Sequence, residues 1–456
     1  MKRIFLYFAG WLFLCGATVF AAAWHIDPLF DYYNGRSPES VAAELAANDV
    51  DEVWYFAVTP DACRPELLAA LKRSGIRTVL TVFPCWVYLS EADMDRYLPE
   101  NWRDWQMQFT NPDAKKDRIF IGFVHPEYNR WYRSYVAGLV KKYGFDGVAM
   151  IETMYPCYNG FSYNPVLFGD VGPAMERAFG EPLPGFLNPA AADHYLNDRA
   201  KMARFVEFRA KTISDFYKYI ADGVRAECPD VKIYTWALGV SESGGLNKIR
   251  FFNGSDTFDI VNAVQPDGHV VQTHWPDWCR SDLKPDYIMK YDEFAAAARR
   301  GCPGVRVGFQ GDCGSLPEMR RSPEWVAANL TAAAGLFDFS VYYEFSIRDE
   351  VYSRPPELKS VKRTADGFIL VFDQRLGDAS AAVFTSANPW VELAEVDGNL
   401  LKVTVASEAA PQDKIDISGV CDDPAARLPL SGDKNEPRGR INPVPRGSLH
   451  AVIAVK

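Results

Sequence analysis

Short apolar runs alternate with amphipathic stretches along the first three quarters of the chain. Eight of these runs have the length and near-continuous hydrophobicity typical of parallel strands that are covered on both faces. They span residues 24–30, 51–58, 76–83, 145–152, 231–238, 258–264, 305–310 and 339–345. Helical patterns separate most of them, at residues 38–47, 65–74, 126–143, 201–227, 291–300 and 323–336. Eight strands with helical crossovers predict an α/β fold, a (β/α)8 TIM barrel over residues 24–352.

Two connections depart from this pattern. The stretch between strands five and six is glycine-rich around Gly244 and Gly245, and little helix is predicted there. After strand eight, no clear helical pattern follows Phe345. The helical layer is therefore predicted to be thin at these two places.

Beyond Pro355 and Pro356 the pattern changes to short alternating strands, as in GFILVFDQ, SAAVFTS and NLLKVTVAS. This pattern predicts a small all-β sandwich over residues 353–456. The stretch KIDISGVCDDPAA resembles the closing strand of bacterial immunoglobulin-like modules, and the resemblance implies an immunoglobulin-like domain. Such a module could bind carbohydrate, anchor the protein, or pack against the barrel where the eighth helix is missing.

The first residues have the order of a secretory signal peptide. Lys2 and Arg3 precede an apolar stretch over residues 4–20, and Ala21, Ala22 and Ala23 supply small residues for cleavage. We therefore predict a leader over residues 1–23, export to the periplasm or the extracellular space, and no stable membrane insertion after cleavage. A membrane anchor is the alternative, because residues 4–24 approach spanning length.

Composition excludes some classes of partner. The chain has 456 residues, 48% of them hydrophobic, and this supports a large buried core. Its formal net charge is −10 and no basic run is present, so nucleic acid is not expected as a partner. No phosphate-binding glycine loop and no zinc-type Cys or His spacing occurs, so neither a cofactor nor a metal is predicted. The sequence does not specify an oligomeric state.

Residues 125–156, HPEYNRWYRSYVAGLVKKYGFDGVAMIETMYP, predict one helix that leads into one strand. Pro126 lies in the first helical turn, Gly144 ends the helix, and FDGVAMI forms strand four. Glu152 follows at the carboxyl end of that strand, where TIM barrels hold their chemistry. A carboxylate there can act as the proton donor or the nucleophile towards a glycosidic bond.

Glycoside hydrolysis usually needs a second carboxylate roughly 5–10 Å away. Four candidates lie at predicted strand ends: Asp27, Asp267, Asp312 and Glu344. Asp312 is preferred because strands four and seven lie on opposite walls of a barrel, and Glu344 is the second choice. Asp27 and Asp267 are assigned to substrate binding.

Aromatic and polar side chains at strand ends and in the following loops are candidate sugar contacts. Aromatic rings stack on the C–H faces of sugars, while polar neighbours bind the hydroxyl groups. The candidates besides the two aspartates are His25, Trp86, Tyr155, Tyr158, Trp236, His269, Trp275 and Gln310.

The same 125–156 segment resembles glycosyl hydrolases of the family 10-like group. The matching residues are His125, Pro126, Glu127, Arg133, Tyr143, Asp146, Gly147, Tyr155 and Pro156. The acidic pair of that group is replaced by Ile151 and Glu152, so only Glu152 carries over. The stretch AFGEPLP and residues 204–236 are similar to family 42 β-galactosidases. In those enzymes the strand-four glutamate is the acid/base and a strand-seven carboxylate is the nucleophile.

These observations predict an exported glycoside hydrolase that uses two carboxylates on an oligo- or polysaccharide. One alternative is a catalytically degenerate barrel that only binds carbohydrate and lacks one carboxylate at the barrel mouth. Another is a metal-dependent esterase or deacetylase, which would need clustered His and Asp ligands. The six scattered histidines argue against that second alternative.

Overall fold

Eight parallel strands form a closed barrel in the order of the sequence, as predicted. The computed structural model describes residues 22–107, 120–156, 171–180, 182, 192, 197–388, 390–406, 414–428, 441–445 and 450–452. The barrel strands are β1 Ala22–Ile26, β2 Glu52–Phe56, β3 Arg77–Val82, β4 Gly147–Met150, β5 Lys232–Leu238, β6 Gly268–Gln272, β7 Arg306–Asp312 and β8 Phe339–Tyr343. Pairing of Ala22 with Ser340 and of Trp24 with Tyr342 closes the barrel.

Helices lie between the barrel strands along the chain and after the last of them. They are α1 Pro38–Ala47, α2 Pro65–Arg73, α3 Glu91–Tyr97, α4 Pro126–Tyr143, α5 Val171–Phe179, α6 Arg199–Glu227, α7 Gly245–Asn253, α8 Thr257–Val264, α9 Trp275–Trp278, α10 Asp292–Gly301, α11 Pro323–Ala333 and α12 Asp349–Ser353. Helix α4 ends as predicted, at Gly144 in a left-handed conformation with φ of 68°. No clear helix was predicted after strand eight, and the structure has only the five-residue helix α12 there.

The assignment of strand six was wrong. The apolar run at residues 258–264 belongs to helix α8, whose first turn is capped by the Asp256 side chain. Its buried residues Ile260, Val261 and Val264 recur at helical spacing. The true strand β6 begins at Gly268 and pairs with β5 and β7. Helices α7 and α8 also fill the connection where little helix was predicted.

The barrel interior contains large aromatic rings beside glycines. The rings of Trp54, Tyr234 and Phe339 lie 4.9 to 6.3 Å apart between centroids. Gly268 and Gly308 make room for them, because an added Cβ would lie 2.7 Å from Tyr234 and 2.4 Å from Phe339, respectively. This packed layer is the floor on which the candidate site rests.

The C-terminal module contains a separate antiparallel sheet, as expected. Its strands are β9 Leu358–Arg363, β10 Gly367–Phe372, β11 Val391–Asp397 and β12 Leu400–Val405, arranged in the order β11-β12-β10-β9, with a further pair formed by β13 Lys414–Asp416 and β14 His450–Val452. The stretch SAAVFTS, predicted as a strand, is part of helix α13, Ala379–Ala387. Its alanines favour a helix, and Ser380 and Phe384 are buried four residues apart. The immunoglobulin-like identity of the module stays a prediction.

The predicted leader overlaps the barrel by two residues. Ala22 and Ala23 belong to β1 and pair with Ser340 and Val341 of β8. Residues 1–21 lie outside the described residues, so the leader itself stays a prediction. Within the described part of the chain, no helix combines the length and the hydrophobicity needed to cross a bilayer.

Candidate active site

A cleft of about 1250 Å³ opens at the carboxyl end of the barrel strands. Three of the predicted carboxylates line it: Asp27 after β1, Glu152 after β4 and Asp312 at the end of β7. Aromatic side chains form much of its wall, namely Phe56, Phe83, Tyr88, Tyr97, Phe120, Trp236, Trp275, Trp278 and Tyr343. The cleft therefore combines acidic groups with apolar surfaces at the end of the barrel that the sequence indicated.

Glu152 lies at a sharp turn just beyond β4. Its φ of 51° is in the left-handed region, which a residue with a Cβ adopts rarely. The Cys85 thiol donates to the Glu152 carbonyl oxygen over 3.2 Å, and the Tyr88 hydroxyl donates to Oε2 over 2.9 Å. The turn and these contacts direct the carboxylate into the cleft.

Asp312 is held by its own loop. Its Oδ1 accepts hydrogen bonds from the N–H groups of Gly314 and Ser315, both at 2.9 Å, and its Oδ2 accepts from the Ser315 hydroxyl. Burial raises the pKa of Asp312, and these donors offset part of that rise by stabilising the ionised form. The carboxylate is therefore fixed in orientation at the end of β7.

Asp27 has fewer partners than Asp312. Among the described residues, its side chain accepts one hydrogen bond, from the Leu29 N–H at 3.0 Å. Burial raises the pKa of Asp27 to about 6, and the Leu29 N–H opposes this rise. Asp27 is therefore a carboxylate in the cleft that changes its charge near neutral pH.

Glu344 does not line the cleft. It is fully buried, and its carboxylate accepts hydrogen bonds from the Asp27 N–H at 3.1 Å, the Tyr33 hydroxyl at 2.5 Å, and the N–H (2.8 Å) and hydroxyl of Ser346. Burial raises the pKa of Glu344 to about 7, although all of these donors lower it. The structure therefore places the second-choice catalytic residue beneath the site, in contact with the backbone of Asp27.

Tyr343 lies among the carboxylates and was not singled out from the sequence. Its ring lines the cleft, and its pKa is raised by burial and then by the negative charges of Glu344, Asp27, Asp312 and Glu152. Asp27, Glu152 and Asp312 therefore all lie within electrostatic range of one phenol. Strand β8 is buried along most of its length and carries a second tyrosine, Tyr342, so the sequence did not distinguish Tyr343 from core aromatics.

His25 and Gln310, both predicted substrate contacts, line the cleft as buried polar groups. Among the described residues, neither ring nitrogen of His25 has a hydrogen-bond partner, and Gln310 Oε1 accepts no hydrogen bond. The His25 ring lies edge-on to Phe56 at 4.6 Å, and burial lowers its pKa to about 3. His25 is therefore neutral, with one donor and one acceptor available to a ligand.

Trp236 and Trp275, two further candidate sugar contacts, also line the cleft. The Trp236 Nε1–H donates to Gln272 Oε1 over 2.8 Å, which fixes the indole ring. Trp275 is 41% exposed and lies at the rim. Gln272, the last residue of β6, was missed because strand six was placed ten residues too early.

Asp267 and His269 lie elsewhere, which corrects two predicted contacts. Asp267 precedes β6 and accepts hydrogen bonds from Lys232 Nζ and the Ile233 N–H, both at 2.9 Å, at the amino end of the barrel. His269 is buried and bonded to Thr235 through Nδ1 at 2.9 Å. Its neighbour Val270 belongs to the barrel interior, so His269 points outward.

The structure does not bring Trp86 or Tyr155 to the cleft either. Trp86 is buried against α4, and its Nε1–H donates to the Tyr128 hydroxyl over 3.1 Å. Tyr155 is buried against Phe123, with its N–H bonded to the Asn253 carbonyl oxygen at 2.9 Å. Tyr158 lies outside the described residues.

Over the ranges that the structure describes, no group of three or more His, Cys, Asp or Glu side chains is arranged to hold a metal ion. The seven described cysteines are all free thiols; they are Cys63, Cys85, Cys228, Cys279, Cys302, Cys313 and Cys421.

No protein-family model and no curated protein sequence matches this chain. Several solved structures are similar to it in fold. The glycoside hydrolase domain of PgaB (BpsB) from Bordetella bronchiseptica is 13% identical, with a TM-score of 0.50 over 71% of this chain and 94% of that domain. A β-galactosidase from the psychrophilic Marinomonas ef1 is 13% identical, with a TM-score of 0.47 over 71% of this chain and 54% of that one. The glycoside hydrolase domain of PelA from Pseudomonas aeruginosa is 12% identical, with a TM-score of 0.39 over 70% and 93%. The chain thus has the TIM-barrel fold that the PgaB glycoside hydrolase domain also has.

Proposed function

We propose that this protein is a glycoside hydrolase that cleaves O-glycosidic bonds of an oligo- or polysaccharide with two carboxylates. The observation that carries the proposal is the meeting of Asp27, Glu152 and Asp312 in one cleft with aromatic walls. This combination is what recognition and cleavage of a sugar need: rings for the C–H faces, and acidic groups beside the bond to be broken.

Glu152 is the proposed acid and Asp312 its partner. Glu152 transfers its proton to the leaving glycosidic oxygen as the bond from that oxygen to the anomeric carbon breaks. Asp312, anchored through Gly314 and Ser315, supplies negative charge to the anomeric carbon. It does so either by attacking that carbon or by activating a water molecule that attacks, which are the retaining and inverting courses.

The floor of the cleft is the proposed binding site for the sugar beside the cleaved bond. His25 and Gln310 present buried polar atoms, and Asp27 presents a carboxylate with one hydrogen bond. Sugar hydroxyl groups supply the donors and acceptors that these atoms need. Trp236 packs against the ring, and Trp275 at the rim stacks on the next sugar unit.

The cellular setting is part of the proposal. The residues ahead of β1 are the proposed leader, so the enzyme acts in the periplasm or outside the cell, and the C-terminal module is the proposed immunoglobulin-like domain. The resemblance of residues 125–156 to the family 10-like group, and of residues 204–236 to family 42 β-galactosidases, agrees with a carbohydrate substrate. Neither a cofactor nor nucleic acid is needed by this mechanism.

The test is a screen of aryl glycosides and polysaccharides with the mature protein beside the variants Glu152→Gln, Asp312→Asn and Glu344→Gln. Asp267→Asn is the matched control, because that carboxylate lies at the opposite end of the barrel. Turnover by the parent protein and by the control, with loss of most of the rate in Glu152→Gln and Asp312→Asn, supports the proposal. Binding of a glycan without cleavage by any of these proteins would instead make the barrel a carbohydrate-binding protein.

A further inference from the structure

The C-terminal module touches the barrel beside the first strand, where the helical layer is thin. The turn between β11 and β12 lies against the start of α1. There the N–H and the hydroxyl of Ser37 donate to the Asp397 carboxylate over 2.7 and 2.6 Å, and Arg36 donates to Asn399 Oδ1 over 3.0 Å. Gly398 at this turn has a φ of 60°, and an added Cβ would overlap the Ser40 hydroxyl. The two parts are therefore fitted closely together.

A buried ion pair strengthens this contact. Arg36 and Glu44 approach to 2.6 Å, and both side chains are essentially inaccessible to solvent. The Tyr32 hydroxyl donates to the same Glu44 carboxylate over 2.6 Å. Buried charges need a complete set of partners, and Asn399 of the module supplies one of the partners of Arg36.

Arg375 of the module holds the loop between β1 and α1. Its Nη1 donates to the carbonyl oxygens of Asp31, Tyr32 and Asn34 at 3.2, 2.9 and 2.6 Å, and its Nε donates to Asp423 at 3.0 Å. Its backbone N–H donates to the Tyr32 hydroxyl over 3.2 Å. One guanidinium group from the module therefore binds three carbonyl oxygens within residues 31–34 of the barrel's first loop.

The same loop reaches the cleft through two further hydrogen bonds. The Tyr33 hydroxyl donates to Glu344 Oε1 over 2.5 Å, and the Asp27 N–H donates to the same oxygen over 3.1 Å. Glu344 thus joins the loop to the backbone of the residue whose side chain lines the cleft. Arg375 binds the carbonyl oxygens on both sides of Tyr33, and the Tyr33 hydroxyl and the Asp27 N–H share the Glu344 carboxylate, so the module is connected to Asp27 through the backbone of this loop.

We propose that the C-terminal module is a positioning element of the active site: Arg375 fixes the loop after β1, and Tyr33 and Glu344 transmit that constraint to Asp27. The module is then an integral support of the catalytic barrel and not a separable accessory domain. Only the kinetic consequence rests on the proposed function; the constraint on the loop does not.

Hydrogen exchange of the full chain tests the constraint directly. In Arg375→Ala we expect exchange of peptides covering residues 27–36 to become about tenfold faster, because charge-assisted hydrogen bonds to three carbonyl groups are lost. In Tyr33→Phe we expect faster exchange at the Asp27 amide. The variant removes the Tyr33 hydroxyl, which helps to hold the Glu344 carboxylate that accepts the Asp27 N–H. Lys359→Ala is the control, because Lys359 pairs with Glu357 inside the module at 2.8 Å. It should leave this loop unchanged.

Kinetics separates positioning from general stability. With Arg375→Ala and Tyr33→Phe we expect a rise in KM that exceeds the change in kcat, because Asp27 binds the sugar, while Lys359→Ala keeps both constants. If Arg375→Ala does not fold, the proposal is tested with Tyr33→Phe alone, because that variant removes one hydroxyl group and keeps the ring. Unchanged exchange of residues 27–36 in the folded variants overturns the proposal. Faster exchange with unchanged kinetics leaves the constraint standing and removes Asp27 from the proposed function.

Discussion

The carboxylate of Glu344 accepts a hydrogen bond from the backbone N–H of Asp27, across a distance of 3.1 Å. The two residues lie 317 positions apart in the chain, and they join the end of β8 to the end of β1, where the barrel closes. The Asp27 carboxylate faces the cleft, while the Glu344 carboxylate lies beneath it and binds the backbone N–H of Asp27. This arrangement explains why two acidic residues at neighbouring strand ends have different tasks.

The first prediction concerns stability and pH. Burial raises the folded-state pKa of Glu344 from 4.5 to about 7. A carboxyl group with a raised pKa in the folded state binds its proton more tightly there than in the unfolded chain. Its contribution to stability is therefore complete below about pH 4.5 and is lost as the pH rises through about 7, by an amount on the order of 3 kcal/mol.

Glu344→Gln removes this titration. We expect the difference in unfolding free energy between the parent protein and Glu344→Gln to depend on pH between about 4.5 and 7, and to be flat outside that window. Urea unfolding at a series of pH values measures it, with Asp267→Asn as the control for the loss of a carboxylate elsewhere. A difference that does not vary with pH would show that Glu344 keeps an ordinary pKa.

The second prediction concerns the packed floor of the site. Gly308→Ala should destabilise the protein by about 1–3 kcal/mol, because its Cβ would lie 2.4 Å from the Phe339 ring inside the barrel. Gly138→Ala should stabilise it by up to about 1 kcal/mol, since Gly138 is an exposed residue in the middle of α4 with nothing within 4 Å of an added Cβ. Thermal unfolding of both variants measures these opposite shifts. A tolerated Gly308→Ala would mean that the rings repack.

Local signals were enough to predict the segment that delivers Glu152. Pro126, the apolar face of α4 and the stop at Gly144 lie within one stretch of chain, so no distant contact was needed. The prediction of strand six failed because its apolar run fits two kinds of element. FDIVNAV is apolar enough for a buried strand or a buried helix, and the Asp256 cap and the left-handed Gln265 decide for the helix. That error displaced Asp267 and His269 and concealed Gln272.

The choice between Asp312 and Glu344 depended on which face of a strand points inward. Phe339, Val341 and Tyr343 contribute to the barrel interior, so Glu344, the next residue, points away from it. Strands buried on both faces carry no polar alternation, and the sequence therefore does not mark the inner face. The side of α4 on which Trp86 packs is likewise determined by tertiary contacts.

The third prediction separates binding from stability at His25. His25→Phe should weaken glycan binding by about 1–3 kcal/mol while leaving the protein as stable or more so, because it removes ring nitrogens that have no partner among the described residues. His269→Phe is the matched control. It removes the hydrogen bond to Thr235 on the outside of β6, so stability should fall and glycan affinity should not change. Calorimetric titration measures the glycan affinity of each variant, and thermal unfolding measures its stability. Equal affinity of His25→Phe and the parent protein would exclude His25 from the binding site.

The fourth prediction assigns the acid limb of the pH profile to Asp27. Burial raises its pKa to about 6, so the carboxyl group loses its negative charge as the pH falls below that value, and its hydrogen-bond acceptor capacity for sugar hydroxyl groups decreases. We expect kcat/KM of the parent protein to decline below about pH 6. In Asp27→Asn, kcat/KM should be lower by about tenfold or more, mainly through KM, and that limb should disappear.

Initial rates at sub-saturating substrate between pH 4 and 8 measure both profiles, with circular dichroism confirming the fold at each pH. Persistence of the limb near pH 6 in Asp27→Asn would assign it to another group, and Asp312, whose pKa is also raised by burial, would be tested next by the same measurement.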